Sequence, residues 1–61
     1  RMAKITEEIT AQFQTTTDSD IEETHFQAGD EVEIVETWKR HYLVRDSEGH
    51  YYNLPKDKVE P

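Results

Sequence analysis

The sequence predicts an all-β chain: a five-stranded antiparallel barrel over residues 10–61, with a short N-terminal tail or helix over residues 1–9. Three observations carry this. Glu31-Val32-Glu33-Ile34 alternates polar and apolar, the period of a half-buried strand. His41-Tyr42-Leu43-Val44-Arg45 and His50-Tyr51-Tyr52-Asn53-Leu54 are rich in aromatic and apolar β-formers. Turn chemistry separates these segments at short intervals, which is how a small barrel is written.

Along the chain, Ile5, Ile9 and Phe13 recur every four residues. This spacing suits a short helix starting at Thr6, with Glu7 and Glu8 favourable in its first turn. Thr15-Thr16-Thr17 disfavours helix, so a tail running into a Thr-rich strand over Gln12–Thr17 stays open beside it. Asp18-Ser19-Asp20 is loop chemistry. Gly29-Asp30 is a turn, and Glu31–Glu36 a strand with Val32 and Ile34 inward. Asp46-Ser47-Glu48-Gly49 is a hairpin turn, Gly49 being free to take positive φ. Pro55 ends the following strand because it cannot donate to a ladder. Lys56-Asp57-Lys58 is one turn before Val59. The expected core is Phe13, Ile21, Phe26, Val32, Ile34, Val44, Leu54 and Val59, with Tyr52 partly buried.

Composition narrows the function. The chain has 61 residues and no cysteine, so it is one domain without disulfide, thiolate metal ligand or thiol nucleophile. A chain this short buries only about 60% of its unfolded surface, and one small core supplies ~3–5 kcal/mol. Fourteen acids against seven bases give a net charge of −7, which argues against nucleic acid and anionic membrane as partners. Residues 1–38 carry −8 and residues 39–61 carry +1, so an acidic side faces a near-neutral one. No apolar run is long enough to cross a bilayer. Met2 reads as a natural start without a signal peptide, which places the expected location in the cytoplasm.

Ala11-Gln12-Phe13, an acidic stretch, Phe26-Gln27-Ala28-Gly29-Asp30, an alternating strand, an aromatic strand, a Gly hairpin and Leu54-Pro55-Lys56-Asp57-Lys58-Val59 follow one another over residues 11–60. This order resembles the Src homology 3 (SH3) barrel, which opens with an Ala-Leu-Tyr strand, turns at Phe-x-x-Gly-Asp and closes with Pro-x-x-Tyr-Val. The resemblance implies the barrel and a protein-interaction role. Its proline-peptide groove is depleted here. Thr15 or Gln14 stands for the first-strand tyrosine, Lys58 for that of Pro-x-x-Tyr, and Trp38 with Tyr42 for the tandem tryptophans. Polyproline peptides should therefore bind poorly. Asn53-Leu54-Pro55 with Val59-Glu60 is also similar to the end of the variable subunit of ferredoxin–thioredoxin reductase, which implies an accessory subunit of a photosynthetic electron-transfer complex.

The expected function is a non-catalytic protein–protein interaction module, a small subunit or regulator without cofactor or small-molecule substrate. Its surface is Trp38, Tyr42, Tyr51 and Pro55, flanked by the acidic loop of Asp18, Asp20, Glu22 and Glu23. Aromatic residues concentrate binding energy, and Tyr51 and Tyr52 must point to opposite faces. Tyr52 shares Leu54's side and is the core member. Trp38 either covers a barrel end or anchors a partner. The acidic loop is either solvated or a lip for Arg and Lys on a partner. A binder of proline-rich or basic peptides and an acidic mimic of nucleic acid are the further alternatives. His25, His41 and His50 form no His-x-His or His-x₃-His pair and read as surface residues. Asp18–Glu23 does not fit a calcium loop. No nucleophile elbow is present, so the chain is not expected to be an enzyme.

Overall fold

The computed structural model describes residues 1–13 and 16–61. Among these residues it is all-β, with seven strands and one 3₁₀ turn: β1 (Met2–Ile5), β2 (Ile9–Phe13), β3 (Glu22–Phe26), β4 (Glu31–Thr37), β5 (His41–Arg45), β6 (Tyr51–Pro55), the turn Lys56–Lys58 and β7 (Val59–Glu60). All pairings are antiparallel. Strands β6-β5-β4-β1-β7 form one sheet, and β2 and β3 form a separate hairpin. Among the described residues the expected all-β chain is observed as a five-stranded sheet and a two-stranded ribbon folded against it, and the two do not close into one ladder.

The N-terminal segment departs most from expectation. Residues 1–9 are neither tail nor helix: Met2–Ile5 is an inner strand, with Ala3 opposite Val32 and Ile5 opposite Val59. Alternation buries Ala3 and Ile5 and exposes Met2 and Lys4. Thr6–Glu8 then turns the corner, and Ile9, Ala11 and Phe13 point to the core from β2. The four-residue spacing of Ile5, Ile9 and Phe13 thus comes from two strands meeting at a corner. The Thr6 amide donates to the Lys58 carbonyl at 2.8 Å, and Glu7 pairs with Lys58. Of the Thr-rich strand expected over Gln12–Thr17, Gln12 and Phe13 belong to β2 and Thr16 and Thr17 to the connection before β3; Gln14 and Thr15 lie outside the described residues.

The core is Ala3, Ile5, Phe26, Val32, Ile34, Val44, Tyr52, Leu54 and Val59. Phe13 is half-buried at its edge. Ile21, expected inside, is 61% exposed. It precedes β3, whose inward positions are Thr24 and Phe26. Tyr52 is buried outright. Its ring meets Phe26 and Phe13 edge-on, with centroids 5.2 and 5.7 Å apart, and its hydroxyl shares a 2.7 Å hydrogen bond with Thr24 Oγ1. This one side chain fastens the β2–β3 ribbon to the large sheet.

Two glycines set the sharpest turns. Gly29 (φ +92°) follows β3, its amide donating to the Ile5 carbonyl at 2.7 Å, while Asp30 Oδ2 accepts from the Gln27 amide at 2.8 Å. Gly49 (φ +85°) lies between β5 and β6. There Asp46 Oδ1 accepts from the amides of Glu48 and His50, at 2.9 and 3.0 Å. A Cβ on Gly29 would meet nothing within 4 Å, so the penalty there is backbone strain alone. Gly29→Ala should cost about 1–2 kcal/mol, read as a lower urea midpoint with an unchanged slope. A midpoint equal to the parent's would refute the requirement for glycine.

Candidate functional site

The β5–β6 pair sorts the expected interaction residues by parity. Tyr42, Val44, Tyr52 and Leu54 face inward, while Leu43, Arg45, Tyr51 and Asn53 face outward. Trp38, in the short connection between β4 and β5, lies over this outer face. Its indole Nε1 donates to Asn53 Oδ1 at 3.1 Å, and its backbone amide donates to the His41 carbonyl at 2.8 Å. Trp38 is 50% exposed and Tyr51 52%. The outcome is an open surface bearing Trp38 and Tyr51, with Asn53 and half-buried Leu43 on the same face. Lys39 and Arg40, also exposed, follow Trp38 directly. At the other end of the face Arg45 binds Glu33 at 2.5 Å. Its guanidinium is held above its ordinary pKa by the hydrogen bond to Glu33, with a smaller contribution from the Tyr51 hydroxyl.

The other expected members lie elsewhere. Tyr42 turns inward, packs against the core and carries the Lys56 ammonium 5.3 Å from its ring centroid. Pro55 is half-buried opposite His41. Asp18 and Asp20 are exposed in the connection between β2 and β3. Glu22 and Glu23 stand on β3 itself, opposite Phe13 and Gln12, so the four acids are not one loop. Among the described residues, no hydrogen bond or ion pair joins these acids to Trp38 or Tyr51. Sequence reasoning missed Asn53, although strict alternation from Tyr51 marks it; Leu43 is its partner across the ladder.

A second cluster surrounds the β5–β6 turn. Asp46, Glu48 and His50 each offer a ligating atom, and these atoms all lie within 4.8 Å of one another. The His50 ring stacks on Phe13 with centroids 4.3 Å apart. Its Nδ1 is buried without a hydrogen-bond partner, 3.8 Å from Glu48 Oε2. A groove beside the turn is lined by Glu23, His25, Asp30, Glu31, Asp46 and Glu48. The spacing search over histidine pairs passed this cluster by, because its pattern is Asp-x-Glu-x-His.

No family model, curated protein or solved structure matches the chain. No helix is long and apolar enough to cross a membrane, among the described residues.

Proposed function

We propose that this chain is a non-catalytic protein-interaction module of SH3-like architecture that docks on a larger protein through Trp38 and Tyr51. The observation that carries this is a half-exposed tryptophan held in place by Asn53 on the outer face that also presents Tyr51. Fixing a half-exposed indole there gives a docking surface a pre-ordered anchor. The SH3-like reading is supported by the order of parts: a ribbon with an acidic connection, the turn at Gly29-Asp30, the β5–β6 hairpin, then Pro55, one 3₁₀ turn and a short last strand. In it Met2–Ile5, rather than the Ala11–Phe13 segment, supplies the first strand. Binding is assigned to the aromatic face; Tyr42 contributes through the core, and the acids of the ribbon are a separate negative surface.

The test is affinity capture at low and moderate salt by the parent and by Trp38→Ala. Capture of one defined complex should fall at least tenfold in the variant, while far-UV circular dichroism and melting temperature stay near the parent's. Equal capture by Trp38→Ala and Tyr51→Ala would end the proposal. A large loss of stability in Trp38→Ala would return that residue to a structural role.

A further inference from the structure

We propose that the β5–β6 turn is a divalent transition-metal site, with Asp46, Glu48 and His50 as ligands to an ion of the zinc class. The inference is independent of the docking face. One imidazole nitrogen and two carboxylate oxygens lie within 4.8 Å of one another on five consecutive residues. A second observation comes from His50: its Nδ1 is shielded from solvent yet makes no hydrogen bond, where buried polar atoms ordinarily have a partner. The Glu48 oxygen 3.8 Å away is too far for a hydrogen bond. Two metal–ligand bonds of about 2.0–2.2 Å span that gap. The ring is already oriented by its stack on Phe13. Asp46 Oδ1 accepts from the amides of Glu48 and His50, which fixes the carboxylate at the turn, and the same carboxylate lies within reach of the Tyr52 hydroxyl. Glu23, Asp30 and Glu31 line the adjoining groove and add negative potential that draws cations in. The mixed nitrogen–oxygen set favours zinc, nickel or cobalt over magnesium and calcium, which prefer oxygen alone. Three protein ligands leave further positions for water.

The test is calorimetric titration of zinc chloride into the chelator-treated full chain, with ¹⁵N shifts of the histidine rings read in parallel. One zinc ion should bind, and His50 Nδ1 should be the shifted nitrogen. His50→Phe keeps the stack on Phe13 and removes the ligand; Asp46→Asn keeps the turn acceptor and removes the charge. Each should weaken zinc at least tenfold, as should Glu48→Gln, while His25→Ala and His41→Ala bind as the parent does. Absence of binding overturns the site. So does equal affinity for magnesium, the mark of a diffuse acidic surface. Loss of binding in His25→Ala instead of His50→Phe would move the ligand to β3 and refute this assignment.

Discussion

Replacing Ile5 with alanine should bring the chain to the edge of unfolding at room temperature. Ile5 is among the largest fully buried side chains, and truncating such a residue costs about 2–5 kcal/mol. One small core contributes only ~3–5 kcal/mol in total, so a single cavity consumes most of it. The neighbourhood cannot collapse around the gap. The Ile5 amide donates to the Asp30 carbonyl at 2.8 Å while its carbonyl accepts from Gly29, so the backbone is pinned on both sides. Removing residues 1–5 should act more strongly still, because among the described residues β7 has no other partner strand in the sheet. Thermal melts followed by circular dichroism check both. Ile5→Val, costing about 0.5–1.5 kcal/mol, should remain folded. A truncated chain that melts with the parent would mean that the segment is an appendage.

Tyr52 should show the second large effect, divided between its ring and its hydroxyl. Tyr52→Ala removes a buried ring against which Phe13 and Phe26 pack, at about 3–5 kcal/mol. Tyr52→Phe keeps the ring and loses the hydroxyl's bond to Thr24 and its interaction with Asp46, at about 1 kcal/mol. The hydroxyl also carries a pH signature. Burial, the largest influence, pushes the Tyr52 phenol above its ordinary pKa of 10.0, with the Thr24 bond acting in the opposite direction. Above that ordinary value the unfolded chain loses this proton while the folded chain keeps it. The contribution is therefore complete at lower pH and is lost as pH climbs through the folded-state value. Urea denaturation across that alkaline window should show a steeper decline for the parent than for Tyr52→Phe. Parallel declines would mean that the phenol is not buried.

The parts legible in the sequence were those where local pattern and tertiary role coincide. Glu31–Ile34 alternates because one face of β4 packs and the other is wet. Gly29 and Gly49 stand where the backbone needs positive φ, and Tyr52 and Tyr51 divide inward and outward as neighbours on a strand must. The N-terminal strand was illegible because it holds only four residues, and its inward pair includes an alanine too small to mark a face. Ile5, Ile9 and Phe13 then imitate a helical stripe across a corner that nothing local announces. Ile21 misleads for the converse reason: an apolar residue counted into the core stands just before β3 and is exposed. At the candidate site, exposed aromatics could be named from composition. The indole bond to Asn53 joins residues 15 apart in sequence, and such a contact exists only once the β4–β5 and β5–β6 registers are fixed.

The pairing of β1 with β7 sets Lys4 opposite Glu60. The strands run antiparallel, so residues 1 and 61 lie on the same side of the sheet, Arg1 about two strand residues, ~7 Å, further along the ladder than Pro61. A polypeptide could therefore enter and leave this unit through one narrow doorway. Set into a surface loop of a host protein, it would ride as a cassette, leaving the host's own framework unstretched.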